Sequence, residues 1–234
     1  MKQIMACVLM GFGLFGPGLA LAQGASGTVV ELYTSQGCSS CPPADAFLTK
    51  LAQEPGVIAL ALHVDYWDYI GWRDQFAKPE FTERQRDYAR ALGSRTIYTP
   101  QMIVAGKDQA VGSDPALVAG MIRRHQSAEP MVVLQLMRVG DTVQVRASAR
   151  VGLDRSLVLQ LVRYRPSEVV AIKRGENAGR SIEYSNIVTA WTRIGTWDGA
   201  GDLAMDLTAP GGDAVVVILQ EDGPGMIYAA SVLK

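Results

Sequence analysis

Two cysteines separated by two residues constrain this chain more than any other feature of its sequence. The chain has 234 residues and three cysteines: Cys7 lies in the apolar N-terminal stretch, while Cys38 and Cys41 form a C-x-x-C motif. A β-rich run, residues 28–33, precedes the motif, and residues 44–52 follow it with apolar side chains at helical spacing. The motif is therefore predicted to lie where a strand gives way to a helix.

The first 22 residues have the pattern of a secretory signal peptide. Lys2 is followed by an apolar stretch over residues 4–15, a Gly-Pro break and the sequence Ala-Leu-Ala at 20–22. A positive start, a short apolar core and small residues before the cut predict cleavage after Ala22. The alternative is a membrane anchor, which so short and glycine-rich a stretch disfavours. We therefore expect an exported protein, periplasmic or secreted, with no membrane span after signal removal.

The charge balance excludes one broad class of partner. The chain carries 22 Lys and Arg against 23 Asp and Glu, a formal net charge of −1. A nucleic-acid-binding protein needs a basic surface to neutralise phosphates, so no nucleic acid is expected as a partner. Removal of the signal peptide leaves Cys38 and Cys41 as the two cysteines of the mature chain, in a compartment where disulfides persist.

The two halves of the chain differ in their patterning. The first half alternates strand-like and helix-like segments, with strands predicted at residues 28–33, 57–64, 101–104 and 109–111 and helices after Cys41, from Pro79 to Gly93 and from Pro115. From Met131 onward, short strands follow one another with turns between them, as residues 142–150 show by clean alternation. This second pattern is typical of a β-sandwich, and the boundary is predicted near residues 128–130.

Over residues 28–127 the chain resembles the thioredoxin superfamily. The resemblance rests on the C-x-x-C motif before a helix and on Thr99-Pro100 before a strand. Residues 31–45 (ELYTSQGCSSCPPAD) and 63–72 (HVDYWDYIGW) look more narrowly like a family of exported bacterial proteins of unknown function. The resemblance implies an α/β thioredoxin-like domain, residues 23–129, followed by an all-β sandwich-like domain, residues 130–234. It also implies a cis peptide before Pro100, with the proline packed against both sulfurs.

The two cysteines are assigned different roles. Cys38 is predicted to be the exposed nucleophile, because a helix N-terminus stabilises a thiolate, and Cys41 the more buried resolving thiol. One alternative is an inert structural disulfide. Another is a metal site, for which two thiolates could hold Cu(I) or Zn, but tetrahedral zinc needs four ligands. The two histidines, His63 and His125, fall on apolar faces and are predicted to be core residues, so no metal or cofactor is expected.

Other candidate site residues surround the motif. Thioredoxins carry a buried carboxylate on the strand before the motif that serves proton transfer, and Glu31 is its nearest counterpart; a solvated strand residue is the alternative. The backbone of Thr99 is expected to pair with an extended substrate segment. Asp65 follows a buried strand at the edge where open α/β sheets bind ligands. Tyr66 and Trp67 come next and are assigned to the substrate side, although packing between the domains is the favoured alternative for these aromatics.

A polar loop in the second half is the last candidate. Residues 174–180 (RGENAGR) exceed the length that a simple hairpin requires. The family of exported proteins carries a similar Gly-Glu-Asn stretch, which favours a functional role for Arg174, Glu176, Asn177 and Arg180 over a plain solvated loop. An arginine near Cys38 would favour its thiolate. We therefore expect this loop to reach the C-x-x-C face.

Together these features predict an exported thiol–disulfide oxidoreductase that uses Cys38 and Cys41. Its partner would be a protein or small-molecule thiol or disulfide. The alternative is a non-catalytic thioredoxin-like binding or redox-sensor module with a structural disulfide.

Overall fold

The computed structural model describes residues 22–234, and strands dominate this range. In chain order the elements are β1 (Ala22–Gln23), β2 (Ala25–Ser26), β3 (Thr28–Thr34), α1 (Pro42–Leu51), β4 (Val57–His63), α2 (Pro79–Ala91), β5 (Gln101–Val104), β6 (Asp108–Val111), α3 (Pro115–Gln126), β7 (Val132–Val139), β8 (Thr142–Ala149), β9 (Leu157–Ala171), β10 (Ser181–Trp197), β11 (Leu203–Thr208), β12 (Ala214–Glu221) and β13 (Ile227–Leu233). The predicted signal peptide, apart from Ala22, lies outside the described residues. Within the described range, no helix combines the length and the apolar character needed to cross a membrane.

Most of the strands belong to a single nine-stranded sheet. Its order is β2-β13-β12-β9-β10-β4-β3-β5-β6, with β3, β4 and β10 parallel and the other pairs antiparallel. The long strand β10 joins the two halves of the chain, since Ile187 pairs with Ala61 of β4. Strands from both sides of residue 130 are therefore hydrogen-bonded into one sheet.

A second, four-stranded sheet has the order β1-β7-β8-β11. Its inward side chains, such as Leu136 and Val145, pack against Leu159 of β9 and Val217 of β12. The alternation that the sequence shows in residues 142–150 corresponds to β8, whose Val143, Val145 and Ala147 are buried. This sheet covers the part of the large sheet that the second half of the chain supplies.

The predicted fold class is wrong. The chain is mostly β, folded into two curled sheets, and not a thioredoxin-like α/β domain followed by a β-sandwich. The physical reason is that β4 would otherwise expose an edge with unpaired backbone groups, and β10 covers that edge. The predicted division at residues 129 and 130 falls in the connection between α3 and β7 and stays a prediction.

Helices α1 and α2 lie on opposite faces of the large sheet. On β3, Val30 and Leu32 pack with Leu48 of α1, whereas Val29 and Tyr33 pack in the cluster that contains Tyr88 of α2. This alternation follows from the two-residue period of a strand. It decides which polar residues of β3 can approach the cysteines at the start of α1.

Candidate functional site

Cys38 and Cys41 form a disulfide in the turn that connects β3 to α1. The Cα atoms are 5.4 Å apart. Cys41 is the N-cap residue of α1, and its carbonyl accepts hydrogen bonds from the backbone of Ala44 (2.8 Å) and Asp45 (3.1 Å). Cys38 closes the preceding turn, since its N–H donates to the carbonyl of Ser35 at 3.1 Å. The motif thus lies at the strand-to-helix junction that the sequence predicts.

Both cysteines are buried, and the prediction that Cys38 is exposed is wrong. Cys38 is 1% exposed and Cys41 is inaccessible, while Ser39 and Ser40 between them are exposed. The helix N-terminus also offers fewer donors than expected, because prolines occupy its first two positions and carry no N–H. The Ser40 hydroxyl, 3.4 Å from Cys38 Sγ, is a polar group able to donate to a thiolate there.

The polar loop of residues 174–180 lies directly against the cysteine turn. Asn177 is buried, and its Nδ2 donates to the carbonyls of Gln36 at 3.0 Å and Cys38 at 2.9 Å. Arg180 Nη1 donates to Asn177 Oδ1 at 3.1 Å. Arg174 and Glu176 are exposed at the loop surface. The loop is thus held on the cysteine turn through Asn177, while Arg174 and Arg180 are exposed.

Gly175 lets the loop of residues 174–180 pack closely against Trp72. Its φ is +76°, and a Cβ at this position would lie 3.2 Å from Cβ of Trp72. Trp72 in turn donates through Nε1 to Gln36 Oε1 at 2.8 Å. The loop, the tryptophan and the cysteine turn therefore form one packed unit.

The Thr99–Pro100 peptide is cis, as the family resemblance implies. Thr99 Oγ1 accepts a hydrogen bond from Trp67 Nε1 at 2.7 Å, and Trp67 also packs on Gly37, where an added Cβ would lie 3.2 Å from Trp67 Cβ. Pro100 is buried, and a Cβ on Gly112 would meet Cβ of both Pro100 and Ala44, at 3.2 and 3.1 Å. Pro100 therefore lies beside the first turn of α1.

Glu31 does not lie on the side of the sheet that carries the cysteines. Its carboxylate is bound by Arg84, with Nε at 2.7 Å from Oε2 and Nη2 at 2.8 Å from Oε1, and by the hydroxyls of Tyr33 and Tyr88 at 3.0 and 2.6 Å. All of these partners lie on the α2 face. The placement gives Glu31 a role in joining α2 to the sheet and brings it no closer to Cys41.

Asp65 and Tyr66 also contact α2. Asp65 Oδ1 accepts a hydrogen bond from Thr82 Oγ1 at 2.6 Å, and Tyr66 donates to Gln85 Oε1 at 3.2 Å. Burial raises the pKa of Tyr66 to about 12, so its hydroxyl keeps its proton at neutral pH. Of the three predicted substrate-side residues that follow β4, Trp67 is the one placed against the cysteine turn.

A buried polar cluster that includes Asp45, four residues after Cys41, was not found by sequence reasoning. Thr34 Oγ1 donates to Asp45 Oδ1 at 2.8 Å, and His63 Nδ1 lies 2.7 Å from Asp74 Oδ2. Asp74 Oδ2 also accepts the backbone N–H of Gln36 at 2.8 Å. Burial raises the pKa of Asp45 to about 7, which makes it a group that titrates near neutrality. A signal was available, because Asp45 comes four residues after Cys41 on the inward face of α1.

His63 is a core residue, as predicted, and it is inaccessible to solvent. Its ring packs edge-on against Phe76 and Tyr184, with centroids 5.1 and 5.0 Å away. His125 is partly buried and pairs with Asp108 of β6, at the edge of the large sheet. Within residues 22–234, no group of three or more His, Cys, Asp or Glu side chains is placed to hold a metal ion.

Comparison with known proteins assigns the chain to a family. Residues 29–220 match a family of proteins of unknown function (DUF1223), and the chain belongs to it. The crystal structure of protein AGR_C_4864 from Agrobacterium tumefaciens is 34% identical, with a TM-score of 0.77 over 89% of this chain and 94% of that one. HBP35 of Porphyromonas gingivalis is 13% identical, with a TM-score of 0.57 over 89% of this chain and 75% of that one, a likeness of fold alone.

No curated protein is significantly similar to the chain in sequence. The predicted membership in a family of unknown function is confirmed, whereas the comparisons do not support the thioredoxin superfamily. Function must therefore be argued from the site.

Proposed function

We propose that the protein exchanges thiols and disulfides through the Cys38–Cys41 pair. The observation that carries the proposal is the position of the bond, which closes a turn of four residues at a helix N-cap and connects no distant parts of the chain. In the chain-entropy model a loop this short adds little stability. Such a bond is better suited to opening and closing than to holding the fold together.

The exchange follows from the arrangement of the two sulfurs. A partner thiolate attacks Cys38 Sγ, the S–S bond breaks, and its electron pair leaves on Cys41 Sγ, giving a mixed disulfide between the partner and Cys38. When Cys41 attacks that mixed disulfide in turn, the partner leaves as a thiolate and the internal disulfide forms again. Cys38 is assigned to the outer position because exposed Ser39 and Ser40 follow it, whereas Cys41 is inaccessible and is followed by the buried Pro42 at the start of α1.

Access to Cys38 requires the covering loop to move. Asn177 is the buried contact that holds residues 174–180 on the turn, and the residues around it are exposed. We infer that a partner displaces this loop and then contacts Ser39, Ser40 and the aromatic side chains that pack beside the cysteine turn. We place the reaction in an exported compartment, because the N-terminal pattern and a persistent disulfide both favour one.

The burial of both sulfurs favours a second candidate function. With Cys38 1% exposed and Cys41 inaccessible, the disulfide could be a permanent part of a binding module that performs no redox chemistry. The two functions differ in whether Cys38 reacts with an external disulfide while the chain is folded.

Mixed-disulfide formation with oxidised glutathione tests the proposal. The folded Cys41→Ser variant is expected to accumulate a stable glutathione adduct on Cys38, because the thiol that would resolve it is gone. The matched variant Cys38→Ser leaves the inner thiol and is expected to react far more slowly. Intact-mass spectrometry measures both adducts. Equal rates for the two variants, or no adduct on either, would refute the proposed exchange.

A further inference from the structure

Four buried polar side-chain atoms in the cluster around Asp45 and His63 have no hydrogen-bond partner among the described residues. They are Gln36 Nε2, Asp45 Oδ2, His63 Nε2 and Tyr184 Oη. Their residues come from the turn after β3, from α1, from β4 and from β10, yet each is at most 2% exposed. A folded protein rarely leaves so many buried polar atoms unpaired in one place, because each costs about 1–3 kcal/mol.

The cluster lies next to Cys41. Asp45 follows Cys41 by four residues, so their Cβ atoms lie on one face of α1 about 5–6 Å apart. The other oxygen of Asp45 is fixed by Thr34 at the end of β3, and Thr34 is paired in register with His63. Cys41 is inaccessible and Asp45 is 2% exposed, so a proton that reaches the inner sulfur must come from a buried group such as Asp45 or arrive after the site opens.

The charges in the cluster decide which group holds a proton. Burial alone would raise the pKa of Asp74, but the charge of His63 and hydrogen bonds from His63, Gln36 and Phe76 hold it below its usual value. Asp74 is therefore a carboxylate, which can only accept, so His63 Nδ1 is the donor in their contact. Burial raises the pKa of Asp45 to about 7; His63 and Thr34 lower it, and Asp74 raises it further.

Two other groups face this cluster from the second half of the chain. Burial raises the pKa of Tyr184 beyond its ordinary range, and the nearby carboxylates of Asp45 and Asp74 raise it further, while Arg180 lowers it. The tyrosine stays neutral, so it can donate a hydrogen bond without changing its charge. Burial makes Asp45 a group in the cluster whose protonation changes near neutral pH.

We propose that Asp45 is the internal acid–base partner of Cys41, with His63 and Asp74 as positioning residues; this inference rests on the proposed exchange reaction. When an external thiolate attacks Cys38 Sγ and the S–S bond breaks, Cys41 leaves with the electron pair. The proton on Asp45 then passes to Cys41 Sγ, and Asp45 becomes a carboxylate beside the His63 ring. In the reverse direction Asp45 takes the proton back as Cys41 attacks the mixed disulfide.

Reduction by dithiothreitol tests this assignment without any physiological partner. The rate is measured for the full chain from about pH 5.5 to about pH 8.5 and divided by the dithiothreitol thiolate concentration. For the wild type we expect this normalised rate to fall by about tenfold or more, with a midpoint near pH 7, as Asp45 loses its proton. In Asp45→Asn the profile is expected to be flat and low. The control Asp108→Asn changes a partly buried aspartate that pairs with His125, outside this cluster, and should keep the wild-type profile.

A second measurement, made on the wild type, tests the assignment even if the Asp45→Asn variant does not fold. The carbon-13 carboxyl signal of Asp45 in the wild type should titrate near pH 7 in the oxidised protein and shift by about half a pH unit or more on reduction. A flat wild-type rate profile, a midpoint that persists in Asp45→Asn, or identical titrations in both redox states would overturn the assignment. Dithiothreitol reduces the bond whether or not glutathione exchange occurs, so the two proposals fail separately.

Discussion

Replacing Arg84 with methionine is expected to destabilise the fold by about 3–5 kcal/mol, because it leaves the carboxylate of Glu31 buried without its counter-charge. Glu31 is inaccessible, and Arg84 holds both of its oxygens. The guanidinium also stacks on Trp191, 3.8 Å from the ring centroid, and Nη2 donates to Gln220 at 3.1 Å. Arg84 thus connects α2 to strands from both halves of the chain.

Urea unfolding measures this loss, and the chain supplies two controls. Arg86→Met, on the same helix, removes an exposed ion pair with Glu83 and should cost less than about 0.5 kcal/mol. The double variant Glu31→Gln with Arg84→Met should recover much of the stability, since it removes the stranded charge. If Arg84→Met unfolds at the same urea concentration as Arg86→Met, the buried pair does not have the structural role that we assign to it.

Replacing Asn177 with alanine is expected to accelerate reduction of the disulfide by about tenfold or more. The change removes both hydrogen bonds that hold the covering loop on the carbonyls of Gln36 and Cys38. Loss of buried hydrogen-bond partners destabilises the closed position of the loop by about 1–3 kcal/mol. A destabilisation of about 1.4 kcal/mol is enough to make the open loop tenfold more populated. The measurement is the rate of reduction by dithiothreitol at fixed pH.

A second buried asparagine separates loop opening from general destabilisation. Asn186 Nδ2 donates to the carbonyl of Ala59 at 2.8 Å, away from the cysteine turn. Asn186→Ala should also lower the free energy of unfolding, yet leave the rate of reduction near that of the wild type. Equal rates in Asn177→Ala and the wild type would show that the loop does not limit access to Cys38.

Sequence patterns located much of the site because the chemistry there is local. The C-x-x-C motif and its position before α1 follow from neighbouring residue types, whereas the cis Thr99–Pro100 peptide was implied by the family resemblance. The loop of residues 174–180 was singled out by its length and polarity, and it does lie on the cysteine turn. Local features of this kind depend on the conformational preferences of a few adjacent residues.

The fold prediction was wrong because it depends on strand pairing between residues that are far apart in the sequence. Nothing in the apolar run of β4 shows that Ile187, far along the chain, hydrogen-bonds beside Ala61. The burial of Cys38 was missed as well, because the surroundings of its side chain are completed by the folded chain and not by adjacent residues. The polar cluster around Asp45 and His63 likewise joins residues from four separate segments, and it exists as a cluster once the sheet has formed.

The reduction potential of the Cys38–Cys41 bond tests the central claim most directly. The folded wild-type chain is equilibrated in a series of thiol–disulfide redox buffers, and the fraction of reduced protein is counted by alkylation and mass spectrometry. An exchanging pair is expected to have a potential above about −300 mV, where thiol partners can open and close it. A potential below about −300 mV would identify a structural disulfide and contradict the account.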